Sequence, residues 1–156
     1  MKRLLALLLA LAMMLSLFGC GVVPMEEPTD IPEVKQTCLT TLNEDGWFYS
    51  AEDVSMYLVT YGCLPDNFIT KEEARDLGWE GGSIEEYAPG CAIGGDRFGN
   101  REGLLPTAPG RQYYECDIDT DGRSSRGAKR IVYSNDGLIY YTEDHYESFT
   151  LLYGEE

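Results

Sequence analysis

Residues 130–142 read RIVYSNDGLIYYT. β-Branched and aromatic side chains fill both halves. Asn135-Asp136-Gly137 separates them with the residue types of a tight reversal, because glycine takes a positive φ at no steric cost. The stretch predicts two antiparallel strands, Arg130–Ser134 and Leu138–Thr142, joined as a hairpin. Ala92–Phe98, Gln112–Ile118 and Ser148–Leu152 share the enrichment in Tyr, Ile, Val, Phe and Thr and are predicted strands as well. Upstream the period changes. Val54, Tyr57, Leu58 and Tyr61 follow the N-cap pair Ser50 and Asp53 at helical spacing, and Gly62 stops the run. Thr70 with Glu73 forms a capping box for a second helix ending near Gly78. Ser83 with Glu86 predicts a third, short helix closed by Pro89-Gly90. Helices followed by strands predict an α+β domain, with N-terminal helices packed on one face of a C-terminal antiparallel sheet.

The chain of 156 residues has room for one such domain and an export segment. Lys2 and Arg3 precede an apolar run from Leu4 to Phe18, too short for a comfortable membrane span and suited to a signal peptide. Leu17-Phe18-Gly19-Cys20 has the form of a bacterial lipobox, in which cleavage before Cys20 leaves a thiol that carries lipid. Residues 1–19 are thus expected to be a lipoprotein signal peptide. Residues 20–37, rich in proline and acid, are expected to be a flexible tether, and 38–156 the domain. Export alters the reading of Cys38, Cys63, Cys91 and Cys116. An even number of cysteines in an exported chain suggests disulfides, with three pairings open. The absence of Cys-x-x-Cys spacing and a single histidine argue against zinc.

The formal charge is −15. Without Lys2 and Arg3, 10 of the 12 basic residues face 27 acidic ones, a net −17. That excludes binding to nucleic acid by a broad basic surface, so any positive site must be local.

Several residues are suited to chemistry on a phosphodiester, which needs a base, an acid and cations around the phosphate. Glu115 lies in a predicted strand, with Tyr113 and Asp117 on the same alternation. Arg126 and Arg130 flank the next strand. His145, the only histidine, sits between two strands in the polar stretch Thr142-Glu143-Asp144-His145. Lys71 follows the cap Thr70 at the positive end of a helix. Each has an ordinary alternative. A loop histidine is commonly just surface, a strand glutamate is commonly solvated, and two arginines near an aspartate commonly pair with it.

Longer blocks carry a resemblance. LPDNFITKEEARDLGW (64–79), IGGDRFGNREGLLP (93–106), YYECDID (113–119) and RIVYSNDGLIYYTEDHYESFT (130–150) resemble, in order and spacing, the bacterial guanyl-preferring ribonucleases of the barnase and binase type. The likeness covers roughly residues 50–152. It implies Glu115 as general base and His145 as general acid in cyclisation of RNA to a 2′,3′-cyclic phosphate, the two roles reversing in its hydrolysis. It implies Lys71, Arg126, Arg130 and Arg101 as cations at the phosphate, with no metal and no cofactor. The loop Phe98-Gly99-Asn100-Arg101-Glu102 would select guanine, with Glu102 accepting from its Watson–Crick edge and loop amides donating to its carbonyl oxygen. Phe98 and Tyr146 would offer stacking surfaces. Single-stranded RNA and a barstar-like inhibitor are the implied partners, with a monomer as the default state. This sequence departs from the pattern in one residue inserted before Arg126, in Gly99 and Gly137, in its cysteines and in its acidity. A disulfide at Cys116 would stiffen the strand of Glu115.

Other readings remain open on the residues. Asp117 to Gly122 resembles the start of a calcium loop, but Ala128 stands where the twelfth-position glutamate belongs. A non-catalytic lipoprotein on the same fold, or an antibacterial ribonuclease toxin, would share most of these features.

Overall fold

The computed structural model describes residues 42–155. The expected signal peptide, the tether, Cys20 and Cys38 lie outside them. Helix α1 (Ala51–Tyr61) starts where the sequence places it. The Ser50 hydroxyl accepts from the Asp53 amide at 3.1 Å and donates to the Asp53 carboxylate at 2.7 Å. Gly62, at φ 73°, ends the helix and donates to the Leu58 carbonyl. After it come β1 (Phe68–Ile69) and α2 (Lys71–Asp76), then β2 (Ala92–Phe98), β3 (Tyr113–Asp117), β4 (Arg130–Ser134), β5 (Ile139–Thr142) and β6 (Thr150–Tyr153). The Thr70–Glu73 capping box is complete.

The strands form one sheet in the order β1-β2-β3-β4-β5-β6. β1 runs parallel to β2, and every other pairing is antiparallel. β1 is absent from the predicted strands, because two residues are too short to show alternation. The third predicted helix is also corrected. After Ser83 there is a single turn, in which the Tyr87 and Ala88 amides both donate to the Ile84 carbonyl at 2.9 Å. One turn fixes several dihedrals for few bonds, and Pro89-Gly90 prevents propagation. Ser83 still caps it, accepting from the Glu85 amide at 3.1 Å, while Glu85 rather than Glu86 turns its carboxylate back onto the Gly90 amide.

Alternation along β3 divides the sheet into two faces. Cys116 points toward α1, where Val54 and Leu58 pack with Ile118, Ile131 and Ile139. Removing each such side chain from water contributes on the order of 2 kcal/mol. Tyr113, Glu115 and Asp117 point to the other face, where Leu105, Val132, Leu138 and Tyr140 form a second cluster. A third cluster, Ala74, Trp79, Ile84 and Ile93, seats α2. Asn67, fully buried, ties the entering chain to the sheet: its side-chain amide donates to the Phe48 carbonyl, and its backbone carbonyl accepts from Ala92.

The expected disulfides are not realised among the described residues. Cys63, Cys91 and Cys116 are free thiols. Cys116 is a core residue, and burial, then Asp117, pushes its thiol well up, so it packs as a small apolar group and does not staple the strand.

A Cβ at Gly94 would lie 2.6 Å from the Cys116 Cβ and 2.7 Å from the Phe68 ring. Gly94→Ala is therefore expected to destabilise the domain by about 1–3 kcal/mol through overpacking. Urea denaturation of both proteins would show this as a lower midpoint at an unchanged slope.

Candidate active site

Strand register builds the site. Glu115 lies opposite Val132 of β4, and Asp117 lies opposite Arg130. On the other flank, a bulge between Gly94 and Asp96 brings Asp96 opposite Glu115. The Asp96 carboxylate accepts from the Lys71 backbone amide at 2.9 Å. That bond holds the first turn of α2 against the sheet, so the Lys71 ammonium ion-pairs with Glu115. Asp96 thus positions Lys71, a role not among the sequence-based expectations. The capping box gave the helix start, but the bulge that aims Asp96 had no sequence signal beyond Gly94-Gly95.

The other oxygen of Glu115 accepts from the Tyr146 hydroxyl at 2.6 Å. Burial, and then the bond to Glu115, holds the Tyr146 phenol well above its ordinary range, against an opposing pull from Arg130. Tyr146 therefore stays a donor. Its ring stacks on Phe98, with centroids 5.2 Å apart. In this structure both aromatics named as stacking candidates face each other, and Tyr146 also braces the carboxylate.

Asp117 is 2% exposed and carries two arginines. Arg126 binds it in bidentate fashion at 2.6 and 2.8 Å. The Arg130 Nε stands 2.9 Å from the same carboxylate. That contact is an ion pair of poor hydrogen-bond angle, since Nε has no hydrogen-bond partner. Arg130 instead donates through Nη1 to the carbonyls of Lys129 and Arg126. Burial works against the charge on Arg126, and Asp117 more than offsets it. The Arg126 guanidinium also lies 5.7 Å from the Trp79 ring centroid. The ordinary alternative for these arginines, pairing with Asp117, is thus realised, and it also places them on the Glu115 face. Lys71, Arg126 and Arg130 stand there among Glu115, Asp117 and Asp96, a local gathering of cations in an acidic chain.

His145 is exposed on the loop between β5 and β6. It has φ 60° and Tyr146 has φ 75°, uncommon values that tertiary bonds must hold. The His145 amide donates to Ala128, and the Tyr146 amide to the Thr142 hydroxyl. Asp144 closes the loop by accepting from Thr142, Ser148 and the amides of Glu147 and Ser148. The His145 and Tyr146 rings stand 4.8 Å apart between centroids, so the imidazole borders the Glu115 cluster.

On the far side, Asn100 (φ 42°) braces its own loop. Its side chain donates to the Leu105 carbonyl at 2.8 Å and accepts from the Leu105 amide at 3.0 Å. Arg101 lies across Gly99, and Arg101 and Glu102 are exposed. Among the described residues neither has an ion-pair partner. Beside this loop lies a cavity of about 320 Å³, lined by Phe98, Gly99, Asn100, Arg111 and Tyr113.

A family model described as ribonuclease matches residues 51–153. A ribonuclease of Bacillus intermedius is 39% identical over 160 residues, spanning 96% of this chain and 98% of that protein. A ribonuclease of Bacillus pumilus is 52% identical over 101 residues, 64% of this chain and 62% of the relative. Guanyl-specific ribonuclease St of Saccharopolyspora erythraea is 47% identical over 57 residues, 36% of this chain and 56% of the relative.

Two outcomes follow from the carboxylates. Asp117→Ala leaves two arginines without their buried partner and is expected to cost about 3–5 kcal/mol, measured by urea denaturation. Asp144 is held at about 2, first by the Ser148 hydroxyl. Its folded value lies below the unfolded ~3.9, so its contribution is present above about pH 4 and fades as pH falls toward about 2. Melting temperatures of wild type and Asp144→Ala should differ near pH 5 and converge near pH 2.

Proposed function

Taking as premise that this chain belongs to the microbial guanyl-preferring ribonuclease family and is an endoribonuclease, we propose that it is exported, lipid-anchored through Cys20, and cleaves single-stranded RNA after guanosine by metal-independent transesterification. The observation that carries the reaction is the Glu115 carboxylate, held between Lys71 and Tyr146 on one sheet face with Arg126 and Arg130, with His145 presented at its border.

Glu115 takes the proton of the 2′-hydroxyl, and the 2′-oxygen attacks phosphorus. His145 gives a proton to the departing 5′-oxygen, leaving a 2′,3′-cyclic phosphate. In hydrolysis His145 takes a proton from water and Glu115 returns one to the 2′-oxygen. Charge gathering on the phosphoryl oxygens is met by Lys71, Arg126 and Arg130, with Arg101 reaching in from its loop. Lys71, Arg126 and Arg130 are held beforehand, Lys71 by Asp96 and the two arginines by Asp117. Lys71 also keeps Glu115 paired in the free enzyme, so substrate phosphate competes with the carboxylate for that ammonium.

Guanine is read at the loop 98–102. Asn100 spends its side chain on Leu105, which stiffens the loop and leaves backbone amides of 99–102 for the guanine carbonyl oxygen. The exposed Glu102 accepts from the two adjacent donors of the guanine edge. Adenine offers no such pair, and a carboxylate against it would be left poorly satisfied. The stacked Phe98 and Tyr146 form the floor on which a base rests. A barstar-like inhibitor belongs to the same proposal as a partner, and it would meet a site whose positive charge is local.

Cleavage of the dinucleotides GpA, ApA and UpA by the purified full-length chain in EDTA tests the reading. GpA should be cleaved fastest, through a cyclic phosphate. Glu115→Ala and His145→Ala should each lower the transesterification rate by about 10²–10⁴. Glu102→Ala should bring GpA down toward ApA. A folded protein that cleaves none of the three would leave the likeness as one of fold alone. The acidity adds a further expectation: binding of single-stranded RNA should fall only shallowly with added salt, because few phosphates meet a cation. A steep linear loss in a fluorescence titration would contradict the local-island picture.

A further inference from the structure

The cavity of about 320 Å³ at the end of β2 and β3 has a charge balance opposite to that of the chain. The sequence carries 27 acidic residues against 12 basic ones, yet two arginines and no acid line this cavity. Arg111 is already committed. Its Nε donates to both oxygens of Asp136, at 2.8 and 3.1 Å, and its Nη1 to the Pro106 carbonyl at 3.2 Å. Arg97 is exposed, and its guanidinium has no hydrogen-bond or ion-pair partner among the described residues. The Thr107 hydroxyl and the Gln112 side-chain nitrogen line the same cavity and also lack a partner there. Gln112 uses only its side-chain oxygen, which accepts from the Tyr114 hydroxyl at 3.3 Å. A free guanidinium fork, a hydroxyl and an amide facing one space match an anion with several oxygens, and phosphate is such an anion.

Strand alternation relates this cavity to the loop of Glu102. In the register of β2 and β3, Arg97 lies opposite Tyr114 and Phe98 opposite Tyr113. Neighbouring residues of a strand point to opposite faces. Phe98 turns to the face of Glu115, where its ring stacks on Tyr146, and Arg97 turns to the other. Gly99 and Asn100, which belong to the loop 98–102, line the cavity too. A guanosine held by that loop has its 3′-phosphate at Glu115, so its 5′ side is the end left to meet Arg97.

We infer that this cavity binds the phosphate on the 5′ side of the guanosine, with Arg97 as its cation and Thr107 and Gln112 as further donors. The inference rests on the proposed function, because a guanosine in the loop 98–102 is what sets the direction of the strand. This phosphate does not react, and its contacts are the same in the ground state and the transition state. They lower KM and leave kcat unchanged.

The test compares GpA, pGpA, ApGpA and GpApA as substrates of the purified full-length chain, of Arg97→Ala and of Arg97→Lys. For the wild type, pGpA and ApGpA should show a KM about 3–10-fold below that of GpA at equal kcat, the range of one charge-assisted contact. Arg97→Ala should abolish that gain and leave GpA itself unchanged, and Arg97→Lys should keep part of it. Any gain from the 3′ extension in GpApA should survive Arg97→Ala. At about 1 M salt, where the Debye length is about 3 Å, the 5′ gain should fade. Protein fluorescence titrated with the uncleavable 2′-deoxy forms of GpA and pGpA should show the same difference in affinity. A free nucleotide offers the same phosphate, so adenosine 5′-monophosphate is titrated alongside. If it binds as tightly as the deoxy form of pGpA and depends equally on Arg97, the cavity serves free nucleotides and the inference fails. GpA cleaved with no gain from a 5′-phosphate, or a gain that survives Arg97→Ala, would overturn the inference alone. GpA left intact and both deoxy dinucleotides unbound would overturn it together with the proposed function.

Discussion

One buried carboxylate organises the sheet face that carries Glu115. Asp117 sits opposite Arg130 in the register of β3 and β4 and also accepts both ends of the Arg126 fork. A carboxylate at 2% exposure is tolerable only with such partners, and two guanidiniums side by side are tolerable only with such an anion. Removing any member leaves the others charged and unsatisfied. The loop from Ile118 to Lys129, the Trp79 ring beneath Arg126 and the strand pairing itself are therefore bound to one arrangement.

The same logic recurs in the loops. Asp96 fixes the first turn of α2, Asp144 closes the turn that carries His145, and Asn100 ties off the loop of Glu102. In each case a short polar side chain satisfies backbone amides that would otherwise need water, and a residue of the proposed reaction is the immediate neighbour. An exposed loop becomes a rigid support at the cost of a few hydrogen bonds. His145 and Tyr146 hold left-handed backbone conformations on that support, and Tyr146 returns the constraint by donating to Glu115.

Charge is distributed to match. Acidic residues dominate the chain, yet three cations converge on one face because anions are interleaved among them. Under the proposed function, attraction for RNA comes from a few contacts within the site rather than from a field around the protein.

Much of this was legible in the sequence. The Asn135-Asp136-Gly137 reversal, the cap at Ser50 and the box at Thr70 and Glu73 are local events, decided by backbone sterics and nearby hydrogen bonds, and they stand where expected. Glu115, Arg126, Arg130, Lys71 and His145 could be named, because residue types and family-like blocks identify them. Their convergence could not, since it depends on pairings between residues up to 44 positions apart, such as Lys71 with Glu115. Tertiary structure alone also decided that Ser83 starts one turn and not a helix, that Asp96 holds Lys71 in place, and that Tyr146 donates to Glu115. It decided too that Cys116 packs while Cys63 faces solvent. Each of these outcomes is set by what lies across the sheet or against a helix, and a linear chain carries no local sign of that neighbour.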